Sequence, residues 1–140
     1  MTEKRKSILV AAQNLHIGGV QAALVNYLKE LSRNGFYDID VFAFTGGALQ
    51  GKLPKGISLT FGGKCLQLSA TSFDEIRQSG RVFDRLLRVF VTAFAKTFGA
   101  ERFYRLCFRH KKPKKTYDVA VSYFTDVPVG VFNKGTNLYI

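Results

Sequence analysis

The sequence predicts an α/β fold, a mostly parallel sheet with helices on both faces, and three observations predict it. Residues 8–12 are a short, continuous apolar run flanked by polar residues and turn chemistry, the pattern of a buried strand, and residues 39–44 are a second strand candidate rich in β-branched and aromatic residues. Between them the apolar spacing changes to three and four, the period of a helix face. Two strands joined by a helix need a crossover, so the pair is most simply parallel, in a right-handed βαβ unit.

The first strand, residues 8–12, gives way to Gln13 and Asn14 and then to the pair Gly18 and Gly19. The helix that follows places Val20, Ala23, Leu24, Tyr27, Leu28 and Leu31 on one face, and Gly35 sits where a C-terminal cap glycine belongs. A second strand over residues 39–44 is rich in β-branched and aromatic residues and is ended by Gly46 and Gly47. Residues 57–61, preceded by Pro54 and Gly56, form a third and shorter strand. After a polar stretch around residues 69–74, residues 79–109 turn helical. Phe83, Leu87, Phe90, Phe94 and Phe98 make one stripe of that helix, and Arg81, Arg85, Arg88, Thr92 and Lys96 another. Gly99 breaks it, and a second basic helix runs from about residue 100 to the Lys-rich loop HKKPKK. Residues 119–123 are a strand, Asp126 and Pro128 resemble a helix start reaching about Phe132, and residues 137–140 open another strand. A parallel strand that short leaves backbone groups without partners. Residues 1–140 therefore read as a single Rossmann-like domain incomplete at its C-terminal end, with residues 77–115 as a basic helical excursion within it.

Composition agrees with a folded domain: the chain has 140 residues, 46% of them hydrophobic, and is long enough for one sizeable core. The basic N-terminus lacks the long apolar run and small-residue cleavage site of a signal peptide. No stretch reaches the ~20 apolar residues of a spanning helix, since Arg88, Thr92 and Lys96 interrupt the best candidate. Cys65 and Cys107 lack metal-ligand spacing and read as reduced thiols near the core, which makes a cytoplasmic location the default. The net charge of +11 is unevenly placed: residues 77–115 hold +10 of it, and any electrostatic partner should meet that segment.

Taken together, Gly18-Gly19-Val20-Gln21 after the first strand, Tyr37-Asp38-Ile39-Asp40 in the second and Tyr117-Asp118-Val119-Ala120 before the later short helix resemble one known pattern. It is that of the N-terminal, acceptor-side domain of retaining, nucleotide-sugar-dependent bacterial glycosyltransferases of the GT-B fold, which build surface polysaccharides. The resemblance is strong over residues 8–46 and 117–140 and weak in the middle. It implies one half of a GT-B architecture: a nucleotide-sugar donor, a glycan or lipid-linked acceptor, no metal and no other cofactor. It also implies that the donor domain, with its paired Glu motif, belongs to absent sequence or to a second chain, and that the isolated chain is inactive. The location implied is cytoplasmic, peripheral on the inner membrane face.

Gly18 and Gly19 would form a cleft loop where backbone amides meet a donor diphosphate or the acceptor, or else a turn needed only for folding. Gln21 falls at the Glu/Gln position of the pattern, where it would orient the loop or touch a ligand, or stand solvated in the first helical turn. His16 lies beside the loop, but no carboxylate is placed to orient it as a base, and no catalytic residue is assigned. Arg85, Arg88 and Lys96 are candidates for an anionic membrane surface, which gives the alternative function: a non-enzymatic half-domain that binds membranes or a partner through basic amphipathic helices. The competing expectation is that the Phe stripe packs on the sheet and the arginines are merely solvated. Nucleic acid is not expected, for want of the aromatic and basic interleaving of its common binding modules.

Overall fold

A computed structural model describes residues 4–111, 115–123 and 137–139, without the side chains of residues 108–111 and 137–139. Five strands, β1 (Lys6–Ala12), β2 (Tyr37–Ala43), β3 (Ser58–Phe61), β4 (Val119–Tyr123) and β5 (Asn137–Tyr139), form one sheet in the order β3-β2-β1-β4-β5. Every neighbouring pair is parallel. Among the described residues the α-helices are α1 (Gly19–Arg33), α2 (Lys64–Ala70), α3 (Phe73–Gln78), α4 (Val82–Phe98) and α5 (Ala100–Lys111). This is a Rossmann-like α/β fold, as the apolar runs predict. The helix expected between Asp126 and Phe132, and Lys112–Lys114 of the Lys-rich loop, lie outside the described residues.

Buried residues lie on both faces of the sheet, which is why residues 8–12 of β1 read as a continuous apolar run. Ile8, Val10, Ile39, Val41 and Val121 pack with Leu24, Val25 and Leu28 of α1 on one face. Leu9, Phe42, Phe44 and Ala120 pack with Leu66 of α2 on the other, where Tyr104 and Cys107 of α5 join them. On α1 the buried face is rotated slightly from the expected one: Val25 is inside, and Ala23 is exposed. Gly35 takes φ +65 just past its end, the left-handed cap that glycine adopts without a Cβ penalty.

The segment after β3 departs most from expectation. In the polar stretch around residues 69–74 one short helix, α2, ends and another, α3, begins. The second starts on a capping box: Ser72 Oγ accepts from the Glu75 N–H (3.3 Å), and the Ser72 N–H donates to Glu75 Oε2 (3.2 Å). Gly99, at φ +89, does separate α4 from α5. The Phe stripe, however, does not pack on the sheet. Because α2 and α5 already cover that face, α4 lies over α2, α3 and α5 as an outer layer. Phe94 reaches inward to Phe103 (ring centroids 6.3 Å), whereas Phe83, Phe90 and Phe98 are more than half exposed.

At the amino edge of the sheet the two Tyr-Asp segments act as a clamp. The Tyr117 hydroxyl donates to Asp40 Oδ2 (2.7 Å), and the Lys115 ammonium pairs with Asp38. Asp118 Oδ2 accepts from both the N–H (2.7 Å) and the hydroxyl (2.9 Å) of Ser7. These bonds join the starts of β1, β2 and β4 and fix their register.

Candidate functional site

In a parallel sheet, ligands bind beyond the carboxyl ends of the strands, where the chain leaves neighbouring strands in opposite directions. The order β3-β2-β1-β4-β5 puts that divergence between β1 and β4. The loop that leaves β1 there is residues 13–18, and it delivers Gly18 and Gly19 to the start of α1.

Gly18 is the N-cap in extended backbone, with no side-chain cap hydrogen bond, and the first turn of α1 carries no acidic residue. Its unpaired first-turn N–H groups and the positive end of the helix dipole thus favour an anion. Among the described residues Gly19 is exposed, and a Cβ placed there would meet nothing within 4 Å. A Cβ on Gly18 would instead lie 2.4 Å from Gln21 Oε1, because the Gln21 side chain folds back over it.

Gln21 braces the loop. Its Nε2 donates to Asn14 Oδ1 (3.0 Å), which also accepts from the His16 N–H (3.3 Å). Asn14, which the sequence reading passed over, is therefore the hub of the loop. The signal was an Asn two residues before the atom it accepts from, the Asx-turn pattern. His16 itself is exposed, with no hydrogen-bond partner found for its ring among the described residues.

The loop is also pinned from below. Leu15 is fully buried, its carbonyl accepts from the Leu49 N–H (3.0 Å), and the Gln13 carbonyl accepts from the Thr45 N–H (3.2 Å). Gly47 makes this possible, since a Cβ there would sit 2.2 Å from the Leu15 carbonyl carbon and oxygen. The sequence suggests only a strand terminator at that position. On the other side Tyr123, at the end of β4, stacks on Tyr27 of α1 (6.3 Å) and lines a crevice of about 30 Å³ with Gln13, Asn14 and Gln21. That is room for about one water. Residues 124–136 lie outside the described residues.

The other chemistry-bearing groups lie elsewhere. A hollow of about 600 Å³ beyond β3 contains Lys64, Arg81 and Asp84, but Asp84 is buried and already paired with Lys64 (2.8 Å). Cys65 and Cys107 are half-buried free thiols in an apolar groove. Burial, with Cys65 adding to it, pushes the Cys107 thiol up to about 12, where it stays protonated and a poor nucleophile. Among the described residues no three His, Cys, Asp or Glu side chains come together as a metal site.

The three basic candidates separate. Arg85 and Lys96 are exposed on α4. Arg88 is not: it is half-buried, with its guanidinium 5.2 Å from the Phe73 ring centroid, so it joins α4 to α3 instead of meeting a surface. No helix among the described residues is long and apolar enough to cross a membrane. No protein-family model, curated protein or solved structure matches the chain.

Proposed function

We propose that this chain is the acceptor-side half of a glycosyltransferase that moves a sugar from a nucleotide-sugar to a glycan or lipid-linked acceptor. The reading rests on one observation: an uncapped, glycine-opened helix start, braced by Asn14 and Gln21, at the divergence of β1 and β4. The order of the Gly-Gly and Tyr-Asp segments along the chain supports it. In this reading the amides of Gly19 and its neighbours form one wall of a cleft and receive the diphosphate or the acceptor's anionic group. The loop bonds hold those amides in place before the ligand arrives, so little reorganisation is needed on binding. The opposite wall, with the groups that hold the donor, belongs to a second domain or a partner chain, at the cytoplasmic face of the membrane.

Amide shift mapping tests the reading. Titration with UDP, GDP and a short-chain prenyl-phosphate sugar is expected to move the Gly18, Gly19 and Gln21 amides for at least one ligand. Gly19→Val places a side chain in open space, so it leaves the fold intact and abolishes those shifts. Shifts that persist in Gly19→Val, or that miss this loop for every ligand, would overturn the proposal. The purified chain alone is expected to transfer no sugar from any nucleotide-sugar, and measurable transfer would refute the half-site assignment.

A further inference from the structure

We infer that the outward face of α4, continued by Leu106 of α5, is a docking surface for an anionic lipid membrane. The inference rests on a different part of the molecule from the glycine loop and holds whether or not that loop binds a nucleotide-sugar. Val82, Phe83, Leu86, Val89, Phe90 and Leu106 are each between 54% and 67% exposed. Five of them recur at helical spacing on one side of α4, while Asp84, Leu87, Val91 and Phe94 on the opposite side face the protein. Soluble domains rarely leave so many large apolar side chains together in water unless something covers them.

Charge decides what the cover is. Arg81, Arg85 and Lys96 are exposed along one flank of the apolar face. The two helices contain only two carboxylates, and neither is free: Asp84 is buried against Lys64, and Glu101 is paired with Arg105 (2.7 Å). The face is thus apolar at its centre and cationic at its border, the arrangement of a helix that lies in a headgroup layer with its apolar side chains among the acyl chains. A second copy of the chain would oppose arginine to arginine. Nucleic acid bases could stack on the phenylalanines but would leave the aliphatic Val82, Leu86, Val89 and Leu106 in water. The high exposure of each side chain places them on a ridge that inserts, not in a groove that receives a peptide. Beside Phe90 and Leu106 an apolar groove of about 350 Å³, lined also by Phe94 and Phe103, offers room for part of an acyl chain.

The chain contains no tryptophan, so Leu86→Trp makes a single reporter on the exposed ridge. Mixed with phosphatidylcholine vesicles containing phosphatidylglycerol, its emission is expected to shift to the blue, and the shift should weaken with salt. Flotation of the native chain with the same vesicles should be lost in Phe83→Ser/Leu86→Ser, and roughly thirtyfold weaker in Arg85→Ala/Lys96→Ala. All four side chains are exposed, and an unchanged circular dichroism spectrum controls for folding. The absence of a blue shift overturns the inference, and so does vesicle binding that survives Phe83→Ser/Leu86→Ser. Self-association that Phe83→Ser/Leu86→Ser abolishes, without vesicle binding, would overturn it in favour of a second copy.

Discussion

Gly19 and Gly47 both lie beyond carboxyl ends of strands, yet they are glycines for opposite reasons. Gly47 is required by packing, since any Cβ would strike the Leu15 backbone 2.2 Å away, and a backbone cannot swing aside as a long side chain does. Gly47→Ala should therefore cost ~2 kcal/mol or more, whereas Gly19→Ala should stay within ~0.5 kcal/mol of the native chain. Urea unfolding checks both, read as midpoints at unchanged slope. Native stability in Gly47→Ala would mean that the two loops separate easily, and the rigid support of the glycine site would go with it. The open position, Gly19, is visible in the sequence as part of a Gly-Gly pair. The closed one is not, because its reason lies across the fold at Leu15, 32 residues earlier in the chain.

Single elements show how far local pattern reaches. β1, β2, β4 and α1 were legible because their apolar residues pack in the two clusters on the faces of the sheet, so the pattern of those residues records their environment. The segment over α2 and α3 was not, because these helices have seven and six residues, too few for a period to develop. The one local mark was Ser72 with Glu75 three residues later, and that pair does form the cap. Ser72→Ala is expected to cost ~1 kcal/mol. It should speed amide exchange in α3 ahead of the strands, and uniform acceleration throughout would instead mean that α3 opens only with the whole domain. The sequence shows the stripe on α4 but leaves its direction open. A periodic stripe says that one face differs from another, and only the placement of α2 and α5 on the sheet determines that α4's phenylalanines turn largely outward.

For the molecule as a whole, the polar clamp and the glycine loop lie at opposite ends of the strands. The amino edge carries the clamp of Lys115, Tyr117 and Asp118 on Asp38, Asp40 and Ser7. Burial, and then the bond to Asp40, push the Tyr117 hydroxyl well above the usual tyrosine range; the bond to Asp38 raises Lys115 as well. Groups raised on folding contribute fully below their unfolded values and lose that contribution as pH climbs through the folded ones. Stability should accordingly fall above about pH 10. Asp118 has the opposite sign: the bonds from Ser7 hold its carboxyl below the usual range, so its contribution is lost as pH falls through that lowered value. Tyr117→Phe should cost ~1–2 kcal/mol at neutral pH and flatten the alkaline decline. Melting curves across pH test this, and an alkaline slope identical to the native one would show that Tyr117 carries none of it. Because strand register is secured at the amino edge, the loops at the other end are relieved of that duty. The exposed positions of the glycine loop, such as Ile17 and Gly19, can then vary, and with them the choice of ligand, provided that the contact of Leu15 with Gly47 is kept.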